Sequence, residues 1–259
     1  MTLWGIVLGW LVGVVLNALA DDLPGKVRLP HDSKGRRRLP VAWSGVVAFL
    51  TKNRASSRAE KLGWRYPLLE ILTALLYGLI TAKFPLNLQL VFFLAYVALL
   101  LLIAVIDLER REILAVVLIV GGTLALAEVF ITDRLPPAEA LIGAGIGLGA
   151  ALIIYGGGLI FSWVAALLRG QPLSADAFGF GDVLLAGLCG LILGRPVIFG
   201  MGIFLVLSSV GTILYMVLRI VKGEKTSAIP QGPYLVAATL IMLVWSDEIR
   251  ALILQSLPG

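Results

Sequence analysis

The chain has 259 residues, of which 59% are hydrophobic and only 14% charged, against about 45–50% and about 25% in soluble domains; this excludes an ordinary soluble fold and points to a polytopic membrane protein. The net charge of +5 does not signal nucleic acid, because the basic residues cluster beside apolar runs, as membrane topology requires. A single cysteine, Cys189, excludes an internal disulfide and any multi-cysteine zinc site, and the lone His31 has no metal-ligand spacing around it.

Crossing a bilayer takes about 20 apolar residues in helix. Eight runs are candidates, at 3–20, 67–82, 88–106, 113–131, 139–168, 183–194, 197–218 and 231–245. The first ends in Ala18-Leu19-Ala20, which fits a signal-peptide cleavage pattern. No Lys or Arg precedes it, however, and the loop after it is strongly basic, so it reads as a retained helix. The fifth run is long. The sixth is short, and the seventh begins soon after Arg195-Pro196, so these two are the place where one broken span would change the count. The Gly-rich stretch GAGIGLGAALIIYGGG at 143–158 reads as a surface for close helix approach. No Lys-Ser or Lys-Thr follows to make a phosphate loop.

With eight spans, loops 21–66, 107–112, 169–182 and 219–230 share one side and hold 17 of the 21 Lys and Arg. The positive-inside rule places that side in the cytoplasm and both termini outside. The expected fold is therefore all-α: a polytopic membrane helix bundle of about eight transmembrane helices, one domain over 1–259, with one basic cytoplasmic loop at 21–66. That loop carries GRRRLP and TKNRASSRAEK. It has few aromatics to make a nucleic-acid face, and reads as a topology anchor resting on anionic lipid.

Two aspartates meet the cytoplasmic boundary. Asp107 directly follows the third run, and Asp182 opens the sixth, in FGFGDVLLAG. Singly, Asp107 reads as a water-interface residue and Asp182 as a helix N-cap. Jointly, two neighbouring carboxylates share a proton and titrate as a pair. One then acts as base toward water and the other as acid toward a carbonyl. Gly179 and Gly181 have access to backbone angles that other residues avoid, and admit an extended peptide close to the chain. Glu70, one turn into the second run, is a costly membrane carboxylate; it is either structural, bonding a neighbouring helix, or part of the site lining.

These residues resemble a known family. Gly179-Phe180-Gly181-Asp182 resembles the GxGD motif of membrane aspartyl proteases, and within that group the chain looks like the type IV leader peptidase (prepilin peptidase) family. GWLVGVVLNALADDLP (9–24), WRYPLLEILTALL (64–76), AVIDLERREIL (104–114) and AIPQGPYLVAA (228–238) resemble further family segments in family order. The resemblance implies cleavage of the short basic leader of type IV prepilins or pseudopilins, just after a glycine, at the cytoplasmic face of the inner membrane. Asp107 and Asp182 match the two catalytic aspartates. Proteolysis would need no cofactor; the methylation of the new N-terminus found in many members would use S-adenosylmethionine.

Three departures stand out. Loop 21–66 lacks the paired CxxC motifs that many members carry, so zinc is not supported. Leu184 stands where the family usually has Lys, two residues after the second aspartate, leaving another cation to offset it. Asp21-Asp22 precede Leu-Pro where Arg is common. For substrate binding, Gly179 and Gly181 would admit the peptide. Glu109 and Glu112, with Asp176, Asp21 and Asp22, are candidates to receive a basic leader; alternatively, Glu109 and Glu112 pair with Arg110 and Arg111. Two other classes compete. A transporter would also carry glycine-broken spans and membrane carboxylates, but near the midplane, whereas Asp107 and Asp182 lie at the edge. A non-catalytic pilus-assembly scaffold would not need both aspartates and the glycines.

Overall fold

The computed structural model describes residues 2–24, 44–51, 63–169, 178–222 and 229–256. Most of the basic loop, with His31, and Asp176 lie outside the described residues. Among these residues every regular element is a helix: α1 Leu3–Asp22, α2 Gly45–Leu50, α3 Arg65–Lys83, α4 Leu88–Arg110, α5 Ala115–Ile131, α6 Pro137–Arg169, α7 Phe180–Leu193, α8 Val197–Lys222 and α9 Gly232–Ser256. Eight of them coincide with the eight apolar runs. Five are long and apolar enough to cross a membrane, and α5 and α7 are shorter apolar helices. The chain is an all-α, multi-pass membrane protein.

The boundaries differ from expectation for identifiable reasons. α2 falls inside the supposed loop, too short and polar in context to register as a span. The sixth and seventh runs are separate helices, because Gly194 takes φ 68 and ends α7 in a conformation that favours glycine. α4 continues past its apolar run to Arg110, so Asp107 sits within its last turns. α9 runs on to Ser256 but is broken at Trp245 (φ −123, ψ 24), the residue where the apolar run ends.

The chain packs as two compact units, residues 1–106 and 107–259. In the first, α1 lies against α3 through Gly5, Gly9 and Gly13, four residues apart on one face. A Cβ at Gly9 would meet Ala74 Cα at 2.8 Å, and one at Gly13 would meet Glu70 Cα at 2.7 Å. Small residues at this spacing let two helix backbones touch. Tyr77 donates its hydroxyl to Leu94 O at 2.8 Å, tying α3 to the α4 segment of this unit.

The polar core of the first unit is Glu70, fully buried. It accepts from Trp10 Nε1 (3.1 Å), Asn17 Nδ2 (3.3 Å), Ser44 Oγ (2.7 Å) and the backbone amides of Gly45 (2.6 Å) and Val46 (3.1 Å). One carboxylate thus gathers α1, α3 and the start of α2. Asp21 is likewise bound, by Arg65 at 2.5 Å and by the Tyr66 hydroxyl at 2.9 Å.

In the second unit α6 and α7 make the closest approach. Gly143 and Gly190 face each other backbone to backbone, and Gly147 lies on Ala186. This matches the small-residue reading for part of 143–158 only; Gly145, Gly149 and Gly156 to Gly158 face open space. Gly190→Val should therefore destabilise the protein by about 3 kcal/mol through overpacking, while Gly145→Ala should leave the melting temperature in detergent unchanged. Equal melting temperatures for both variants would disprove the contact. At the far ends of α5 and α7, Arg134 grips buried Glu128 with two 2.5 Å bonds and donates to Ile192 O at 2.8 Å.

Candidate active site

Three distant segments of the second unit converge on Asp107. The first is the end of α4. Arg111 adopts φ 56, the one non-glycine residue in the left-handed region among the described residues. Its amide donates to Asp107 O at 2.8 Å, which closes the helix and turns the chain sharply. Such a backbone is costly for a residue with a side chain and is held only where its surroundings demand it. The turn carries Ile113 to Gly181, where an added Cβ would lie 3.0 Å from Ile113 Cβ.

The second segment is the GFGD turn. Phe178 is buried and its ring meets Phe204 edge-on at 6.3 Å. Gly179 is the N-cap of α7, and Asp182 is the third helical residue rather than the cap or first residue. The two complete a reciprocal pair. The Asp182 amide donates to Gly179 O at 3.1 Å, and the Gly179 amide donates to Asp182 Oδ2 at 3.0 Å. The Asp182 side chain supplies the N3 half of a capping box, while the Gly179 backbone carbonyl takes the part of the side chain it lacks, and the acidic group is favourably placed in the first helical turn.

The glycines of the turn do not use the backbone angles that other residues avoid. Gly179 has φ −90 and ψ 155, ordinary extended backbone, and Gly194 is the one glycine with positive φ among the described residues. Gly181 instead makes a close contact, and a side chain there would press on Ile113. Gly179 is exposed, with only ordinary contact distance to Asp182.

The third segment is the start of α9. The Gly232 amide donates to Asp107 Oδ2 at 3.0 Å, across 125 positions of sequence. Both aspartates are buried, at 5% and 8% exposure, and Asp107 lies within the electrostatic reach of Asp182. Asp182 Oδ1 is buried with no hydrogen-bond partner among the described residues. A buried carboxylate oxygen left unsatisfied is costly. The charge of Arg111 also acts on Asp107.

The other expected site residues divide. Glu109, in the last turn of α4, and Glu112, on the α4–α5 turn, are exposed and close to Asp107 in sequence. Glu70 belongs to the first unit, where both of its oxygens are occupied; its geometry matches the structural alternative. Asp21, bound to Arg65 and Tyr66, is equally committed. Sequence reasoning missed Arg111, Ile113 and Gly232 as parts of the site. The signal for Gly232 was the Ile-Pro-x-Gly-Pro stretch, noted as a resemblance without a role. No group of three or more His, Cys, Asp or Glu able to hold a metal occurs among the described residues.

Residues 94–217 match the model of the type IV leader peptidase family, a range that includes both aspartates. Several curated proteins called prepilin leader peptidase/N-methyltransferase are similar along most of their length. The one from Pseudomonas putida is 28% identical, covering 97% of this chain and 93% of its own. That of Aeromonas salmonicida strain A449 is 30% identical, covering 88% and 76%. That of Bacillus subtilis strain 168 is 25% identical, covering 83% and 80%. No solved structure matches the chain at comparable significance. With paired buried aspartates, a GxGD turn and relatives aligned across most of both chains, this protein belongs to the type IV leader peptidase family.

Proposed function

We propose that the chain is a membrane aspartyl endopeptidase that removes the short basic leader of type IV prepilins or pseudopilins, with Asp107 and Asp182 as the reacting pair. The observation that carries this reading is the pair itself: two buried carboxylates on different helices, each held by one backbone amide, with Asp182 Oδ1 unspent. Like charges this near favour a state in which the pair keeps one proton. The ionised partner removes a proton from water, whose oxygen adds to the scissile carbonyl carbon. The protonated partner gives its proton to the carbonyl oxygen. Collapse of the resulting diol passes a proton to the departing amine and restores the pair. A site at a membrane edge, on the side rich in Lys and Arg, fits work at the cytoplasmic face of the inner membrane. A transporter or an inert scaffold gains no support from this geometry.

The second activity in the relatives' names would require S-adenosylmethionine. In the first unit the buried carboxylates Asp21 and Glu70 are taken by protein donors, and the buried acceptor left over is the single oxygen Asn17 Oδ1. No methylation step is assigned to this chain.

Purified protein in detergent or vesicles should cut a substrate with a basic leader and an apolar following helix, and product mass should place the cut after the leader glycine. No cleavage of several such substrates would overturn the reading. Reversing Glu109 and Glu112 to Lys should raise KM about five-fold with kcat kept, since exposed charge pairing is weak. An unchanged KM would remove both from the leader's path.

A further inference from the structure

We infer that Gly232 is a positioning residue for the peptidase reaction, holding the Asp107 carboxylate in place with its backbone amide and with the space its missing side chain leaves. The inference rests on the reading of Asp107 as one of the reacting pair.

Three observations support it. At the start of α9, Pro233 has no amide hydrogen, and the amides of Tyr234 and Leu235 both turn back to Gln231 O at 3.2 Å. Gly232 is thus the residue of this first turn whose amide reaches out to another segment, and it goes to Asp107 Oδ2 at 3.0 Å. Unsatisfied amides at a helix start carry partial positive charge, so the turn presents one directed donor to one carboxylate oxygen. Glycine is not needed here for conformation, because Gly232 is not among the positive-φ residues. It is needed for room: a Cβ would stand 2.6 Å from Asp107 Oδ2, 3.1 Å from Cγ and 3.4 Å from Cβ.

Asp107 has little freedom to yield. It is buried on a helix whose end is locked by the Arg111 turn, and its side chain is short. A methyl group at 232 must therefore displace the carboxylate or push back α9, and either breaks the amide bond. Misplacement of a reacting group by about 1 Å costs about 100-fold in rate.

The test uses the full chain in detergent and a basic-leader substrate with its apolar helix. Gly232→Ala should lower kcat about 100-fold and leave KM within about two-fold. Gly202→Ala, whose Cβ on α8 meets open space, should keep both. A second arm measures melting temperature in a double-mutant cycle with Asp107→Ala, which removes the carboxylate. Gly232→Ala should cost clearly less stability in that background, or should fold there if it fails to fold alone. A folded Gly232→Ala with kcat near wild type, or with a raised KM and normal kcat, overturns the inference. So does an equal stability loss, or an equal failure to fold, in both backgrounds. If the wild type cleaves nothing, the peptidase reading fails, while the melting cycle still reports whether Gly232 acts through Asp107.

Discussion

Asp107→Asn and Asp182→Asn should each abolish leader cleavage, lowering kcat by at least about 1000-fold, while the protein stays folded. An amide has nearly the shape of a carboxyl group and still offers an oxygen to the Gly232 or Gly179 amide. The local hydrogen bonds therefore survive. What is lost is the ability to take up and release a proton. The wild-type rate should follow a bell-shaped pH profile, since one carboxyl must be charged and the other neutral. Activity falls on the acid side as both become protonated, and on the alkaline side as both ionise. Product formation by mass, with melting temperature recorded for each variant, checks the prediction. A folded variant that keeps full activity would remove that aspartate from the mechanism.

Glu70→Ala should destabilise the first unit by about 3 kcal/mol or more. Its carboxylate satisfies the Trp10, Asn17 and Ser44 side chains and two amides at the start of α2. Deletion leaves these donors buried and unpaired, and each costs free energy. Glu70→Gln should lose about 2 kcal/mol, because its amide half presents hydrogens to donors. Thermal melting in detergent measures both, and proteolysis should show residues 44–51 released first. If Glu70→Ala instead kept its melting temperature and raised KM for a basic leader, Glu70 would belong to the substrate path.

The sequence alone determined the all-α, multi-pass character of the chain and the place of its apolar helices, and it singled out Asp107 and Asp182 as residues to explain. Hydropathy is a property of each segment separately: a run such as 88–106 is driven into helix and lipid whatever its neighbours do. Two acids at ends of such runs stand out for the same reason, since charge beside hydrocarbon is costly. Local reading failed where contact is between distant segments. Helix α2 is six residues long and owes its start to Glu70, 25 positions away from Gly45. The roles of Gly179 and Gly181 followed from packing on Ile113 and from a helix cap, not from unusual backbone angles. Gly232 looks like any helix-starting glycine until its amide is brought to Asp107. That juxtaposition, and the choice of Glu70 as a structural hub, were decided by the tertiary structure, because hydrogen bonds and steric room between segments exist only once the helices have packed.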